Sequence, residues 1–114
     1  HTVMAPPTIW EVPASMSDED AAGFVIPAHT AYHAVHRRGR VAAGENVLVL
    51  GAAGGVPSSA VQLCAAAGCN VIAVARGAEK VDFARKLGAQ IAIDSGREDF
   101  VAAVKRAVGA NAID

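Results

Sequence analysis

The chain has 114 residues, enough for one domain with a real hydrophobic core. Apolar residues make up 53% and aromatics 4%, a balance that favours an alanine- and valine-packed α/β layer structure over a β-sandwich or a disulfide scaffold. A net charge of −1 supplies no basic field for nucleic acid or a membrane surface, and no apolar run reaches the roughly 20 residues of a membrane span. The N-terminal stretch lacks the charged-then-apolar layout of a secretory signal, and a start at His1 rather than Met predicts a processed or excised piece. Two cysteines that read as reduced thiols predict a cytoplasmic chain.

In chain order, Ala5-Pro6-Pro7 and Val12-Pro13 break any helix and predict an extended connector or edge strand. Ser15 or Ser17 followed by Asp18-Glu19-Asp20 predicts a capped helix start with acids in its first turn. A second helical stretch covers Ala28 to about Arg38, and Gly39 and Gly44 bracket a loop. Three strand–helix units follow: Val47–Leu50 with Val56–Ala67, Asn70–Ala75 with Glu79–Leu87, and Ile91–Ile93 with Arg97–Val108. Their expected core stripes include Val56, Ala60, Leu63, Cys64 and Ala67, then Phe83 and Leu87, then Phe100, Val104, Ala107 and Val108. Gly88 and Gly109 end the second and third helices. A fourth strand begins at Ala112-Ile113.

Alternating strands and helices with crossovers of a dozen residues or more predict a parallel sheet with right-handed connections. The expected fold is α/β, a partial Rossmann-type parallel sheet of strands 1–3 and the start of 4 with helices on both faces. A connector and helix from a preceding domain lead into it. The strand order of that fold is 3-2-1-4-5-6. Because this chain supplies strands 1–3 and at most the first residues of 4, one long apolar edge of strand 1 is expected to be bare, a pairing hazard that a homodimer would cover.

Residues 47–57, Val-Leu-Val-Leu-Gly-Ala-Ala-Gly-Gly-Val-Pro, run four aliphatics straight into a glycine-rich turn and a helix. Such a corner lets backbone N–H groups approach a phosphate where the helix dipole also favours negative charge. Ala53, Gly54, Gly55 and Val56 are the candidate pyrophosphate contacts; a tight turn without a ligand is the alternative. The spacing Ala52-x-Gly54-x-x-Pro57 ends in proline where the dinucleotide fingerprint has glycine. Proline suits the first turn of a helix, so an intact fold with weakened cofactor binding is expected. The second strand ends Ala73-Val-Ala-Arg76-Gly77, with no Asp or Glu for an adenosine ribose. Arg76 and Lys80 instead offer positive charge to a 2′-phosphate, which predicts NADP(H) over NAD(H) unless both are ordinary solvated cations.

His29, His33 and His36 share one helical face, but no accompanying Glu or remote Cys or Asp completes a zinc set, and no metal is expected. Arg37, Arg38 and Arg40 are too few for a nucleic-acid patch and mark an exposed helix end. Cys64 and Cys69 match no disulfide or C-x-x-C framework and predict buried thiols. No catalytic nucleophile arrangement can be read from spacing.

Met16-Ser-Asp-Glu-Asp-Ala-Ala22, His29-Thr-Ala-Tyr-His-Ala-Val35, Gly44-Glu-Asn-Val-Leu-Val-Leu-Gly51 and Ala52-Ala-Gly-Gly-Val56 occur in that order. Glu79-Lys80, Leu87-Gly-Ala89 and Arg97-Glu-Asp-Phe100 follow. Together they make the chain resemble the middle segment of the zinc-independent medium-chain dehydrogenase/reductases, of the quinone oxidoreductase and enoyl reductase type. The resemblance implies residues 1–22 as the end of a catalytic (GroES-like) domain and connector, and 23–114 as the N-terminal half of the NADP-binding Rossmann domain. It implies hydride transfer from a reduced nicotinamide to a small-molecule quinone or activated C=C bond, without metal. Consistent with that, Gly23–Ala28 carries no cysteine where zinc-dependent relatives place a ligand. Thr30 matches a family threonine near the nicotinamide, with a helix N-cap or core hydroxyl as the alternative. Tyr32 packs rather than reacts. The family often has a tyrosine near the position of Ser95 that helps hold the 2′-phosphate. Two further readings stand beside a segment of a reductase that is inactive alone: a non-catalytic dinucleotide-binding or structural remnant, and an enoyl reductase domain of a polyketide- or fatty-acid-type synthase.

Overall fold

The computed structural model describes residues 11–114, so the Ala5-Pro6-Pro7 connector lies outside the described residues. Val12 and Pro13 join no strand; the Met16 N–H donates to the Pro13 carbonyl at 2.9 Å across a turn leading to Ser17. Ser17 caps helix α1, Asp18–Tyr32, its hydroxyl oxygen accepting from the Asp20 N–H at 3.1 Å. Asp18, Glu19 and Asp20 occupy the first turn, where the helix dipole favours acids.

The two helical stretches expected before residue 39 are a single run. α1 passes without a break into a π-helical segment, His33–Gly39. Pro27 lies inside α1 and has no N–H for the Gly23 carbonyl, yet the helix runs on through it to Tyr32. The wide π turns bring the Ala34 carbonyl oxygen to 3.0 Å from where a Cβ would stand on Gly39.

The sheet contains β1, Asn46–Leu50, β2, Asn70–Ala75, and β3, Ile91–Asp94, all parallel in the order β1-β2-β3. Leu48 is in register with Ile72, and Ile72 with Ile91. Each strand leads into a helix: α2, Gly55–Ala66, α3, Ala78–Lys86, and α4, Phe100–Val108. The last begins three residues later than the pattern predicts because Asp99 caps it, Oδ1 accepting from the Val101 N–H at 2.9 Å.

Pleating sends alternate residues of β2 to opposite faces. Val71 and Ala73 join Val49, Val61, Cys64 and Ala84 in a core under α2 and α3; Ile72 and Val74 join Ile93, Ala103 and Val104 under α4. Helices therefore cover both faces, as expected. Three details of the stripes differ. Val61 is fully buried although the expected stripe omits it, Phe83 is 43% exposed because Val81 and Ala84 turn inward instead, and Ala107 is exposed.

No fourth strand forms at residues 112–113. The segment nonetheless lies where that strand belongs, beside the free edge of β1. The Asp114 N–H donates to the Asn46 carbonyl at 3.1 Å, and Asn46 donates from its N–H to the Asp114 carboxylate at 2.8 Å and from Nδ2 to the Ala112 carbonyl at 2.8 Å. One backbone bond is too few to make a ladder. Among the described residues no helix is long and apolar enough to cross a membrane.

Candidate functional site

The corner after β1 is built from backbone. Gly51 takes φ +65°, a conformation side chains resist, and starts the turn. The buried Ala52 donates its N–H to the Val74 carbonyl at 3.0 Å, tying the turn to the end of β2, and the Gly54 N–H donates to the Gly51 carbonyl at 2.9 Å. Gly54 is the N-cap residue of α2, extended and with no side-chain cap. The first helical donor is the Ser58 N–H, to the Gly54 carbonyl at 2.8 Å. The N–H groups of Gly55 and Val56 thus precede the intrahelical ladder, and Pro57, third in the helix, has none to lose.

No acid lies in the first turn of α2. The Ser58 and Ser59 hydroxyls donate back to the Gly55 carbonyl at 2.9 and 3.1 Å. Gly54 and Gly55 are exposed, while Ala53 and Val56 are half-buried. Uncapped donors, dipole and exposure together suit an anion. Gly55 faces Pro27 of α1, and a Cβ there would make an ordinary contact with Pro27 Cγ at 3.4 Å.

Two concavities flank this corner. A groove of about 540 Å³ opens between α1 and α2 beside Gly55, but Glu19 and Asp20 line it and make it a poor seat for phosphate. A trough of about 440 Å³ follows the free edge of β1 and is lined by Leu48, Leu50, Val56, Pro57 and Ala60. Pro57 therefore leaves α2 unbroken and places its ring in the trough, as well as 3.5 Å from where a Cβ would stand on Gly54.

At the end of β2, Arg76 and Lys80 are both exposed, the first in the β2–α3 turn and the second in the first turns of α3. The sequence pattern places no carboxylate here, yet the fold brings one from β3. Asp94 Oδ1 accepts from the N–H groups of Gly77 and Gly96, each at 2.9 Å, and Oδ2 faces Arg97 Nε at 3.6 Å. The Gly77 and Gly96 N–H bonds, in that order, hold the Asp94 carboxyl below the usual carboxylate range; the nearby Arg97 and Arg76 act in the same direction. The signal for this residue in the sequence is an Asp two positions before a Gly at a strand end, an Asx-turn pattern. Ser95 donates its N–H and its hydroxyl to the Ala75 carbonyl, at 2.9 and 3.3 Å.

Thr30 lies late in α1 and is exposed; its hydroxyl donates to the Ile26 carbonyl at 2.7 Å, so it is neither an N-cap nor a core hydroxyl. The Tyr32 ring is 4.8 Å from that of His36. Cys64 and Cys69 are both buried and unpaired as thiols; burial first, then the neighbouring Cys69, pushes Cys64 up to about 11. Among the described residues no three His, Cys, Asp or Glu side chains gather to hold a metal.

Residues 55–114 match the zinc-binding dehydrogenase family. Quinone oxidoreductase-like protein 2 of Rattus norvegicus is 34% identical over 108 residues, 94% of this chain and 31% of that protein. A mycocerosic acid synthase-like polyketide synthase of Mycobacterium tuberculosis is 28% identical over 103 residues, 90% of this chain and 5% of that protein. Among solved structures, the Escherichia coli quinone oxidoreductase complexed with NADPH superposes with a TM-score of 0.77 at 32% identity, covering 84% of this chain and 29% of that one. The chain spans 31–35% of the length of the quinone oxidoreductase relatives it matches.

Proposed function

The chain belongs to the zinc-binding dehydrogenase family, and on that premise we propose that it is the nucleotide-holding segment of an NADP(H)-dependent oxidoreductase of the quinone oxidoreductase type. The observation that carries this reading is the exposed, uncapped and acid-free N-terminus of α2 at the end of β1, with Arg76 and Lys80 at the end of the adjacent strand β2. In a doubly wound sheet those two strand ends are where a dinucleotide's diphosphate and adenosine ribose lie. The relative solved with NADPH supports the same choice of cofactor.

The Gly54, Gly55 and Val56 amides, flanked by Ala53, hold the diphosphate; Arg76 and Lys80 hold the 2′-phosphate; Thr30 borders the nicotinamide. When bound, NADPH supplies the hydride, delivered to a small-molecule quinone or an activated C=C bond, and the protein orients it without zinc. Residues 1–22 close a catalytic domain and 23–114 form the first half of the nucleotide domain, with α1 spanning the join. The protein is cytoplasmic, and a second copy covers the apolar edge of β1 in a homodimer. Titration with NADPH and NADH tests the assignment. Tighter binding of NADPH is expected, equal affinities overturn the 2′-phosphate contacts, and no binding of either overturns the reading. Pro57→Gly is expected to tighten both, and no gain would show that the proline ring does not hinder the ligand.

A second reading, an enoyl reductase segment within a large synthase, is favoured by the polyketide synthase relative, of which this chain matches only 5%. Acyl-carrier and ketoreductase sequences flanking the gene product would establish it; a free-standing reductase of a few hundred residues would exclude it.

A further inference from the structure

Arg76 is the exposed residue on which the 2′-phosphate reading chiefly rests, yet its own strand supplies nothing to aim it. The loop after β3 does. The residue before it, Ala75, is held through its carbonyl by the Ser95 N–H and hydroxyl at 2.9 and 3.3 Å. The residue after it, Gly77, is held through its N–H by Asp94 Oδ1 at 2.9 Å. The same oxygen accepts from the Gly96 N–H at 2.9 Å, so one carboxylate ties the β2–α3 turn to the β3–α4 turn. Gly77 has φ +99°, and a turn in that conformation gains from an external tie.

The side chain of Arg76 is seated as well as its backbone. A Cβ on Gly96 would lie 3.1 Å from Asp94 Oδ1, 3.3 Å from Arg76 Cγ and 3.7 Å from its Nε, so the absence of a side chain there leaves room for both the bridging carboxylate and the aliphatic stem. The other oxygen of Asp94 faces Arg97 at 3.6 Å, and Arg76 takes part in none of the ion pairs of the described residues. Its stem is thus seated, while its guanidinium is in none of those ion pairs and acts on Asp94 only through its charge.

We propose that Asp94 and Gly96 are positioning residues for Arg76, a bridge and a seat that together set the preference for an adenosine bearing a 2′-phosphate. The proposal rests on the assignment of Arg76 as a phosphate contact. It is tested by calorimetric titration of the full chain with adenosine 2′,5′-bisphosphate and with adenosine 5′-monophosphate. These probes differ only in the phosphate at issue and need no hydride transfer.

Gly96→Ala and Asp94→Ala are each expected to weaken the bisphosphate by about five- to tenfold while leaving the monophosphate unchanged. Asp94→Asn keeps an acceptor oxygen at the same place and is expected to retain most of the preference; it also keeps the test decisive should Asp94→Ala fail to fold. If Arg76→Ala leaves the bisphosphate affinity unaltered, the phosphate reading itself fails. If Arg76→Ala weakens it but neither Gly96→Ala nor the Asp94 variants do, only the positioning role fails. Equal losses for both probes would make Asp94 and Gly96 general supports of the fold and overturn the proposal.

Discussion

β1 and β2 have the same kind of sequence and different surroundings. Val47–Leu50 and Val71–Ala75 are both unbroken apolar runs, and both form strands of the parallel sheet that the alternation of strands and helices predicts. Yet every residue of Val71–Ala75 is buried, whereas in β1 only Val49 is buried and Leu50 is 55% exposed. β2 has a strand on each side and helices on each face. β1 has β2 on one side and, on the other, only the few bonds between Asn46 and residues 112–114. An apolar run encodes a strand buried on two faces, but the number of neighbours along its edges is set by the rest of the sheet.

The largest expected effect is at the centre of the well-covered strand. Ile72 is fully buried, and Ile72→Ala is expected to cost about 2–5 kcal/mol, read from the midpoint of urea unfolding. Leu50→Ala at the bare edge is expected to cost about 1 kcal/mol or less. A loss at Leu50 as large as that at Ile72 would mean the edge is covered in solution, and a monomeric mass at the same concentration would then rule out a second copy as the cover.

Smaller still is Gly55→Ala at the corner that β1 feeds. Its Cβ meets Pro27 at 3.4 Å, an ordinary contact, so stability is expected to move by no more than about 0.5 kcal/mol while NADPH affinity falls. An unchanged affinity would remove Gly55 from the diphosphate site.

The mildest effect is expected in acid, where the β2–β3 tie titrates. Because Asp94 is held below the usual carboxylate range when folded, its contribution is complete above about pH 4, the unfolded value, and is lost as pH falls through the depressed folded one. Acid unfolding of Asp94→Asn should show a shallower slope across that window, and an identical slope would show that the bridge adds nothing to stability.

Much of the site was legible because it is contiguous. Gly51 to Val56 lie in one turn, and the strand before and the helix after them announce themselves by periodicity. Arg76 and Lys80 stand in a single short stretch. Asp94 escaped notice because it acts on Gly77 from 17 residues away, across a strand pairing that no local pattern specifies. Phe83 was misplaced for a related reason. In a short helix two neighbouring stripes are both plausible, and the sheet chooses the one carrying Val81 and Ala84. The union of α1 with the π-helical segment was hidden by Pro27, which reads as a helix breaker but here lies inside α1.

From residue order alone came the α/β class, three of the strands to within a residue or so, the helix-opening glycine turn and the cations at the end of β2, because propensity, capping and hydrophobic period act over a few neighbouring residues. Only the folded chain decided that Asp94 reaches the turn beside Arg76, that Pro27 rests on Gly55, and that β2 is enclosed while β1 keeps an open edge. Those outcomes depend on strand register and on the approach of segments far apart in the chain, where a carboxylate, a missing Cβ or a missing neighbour acquires meaning only once the sheet has assembled.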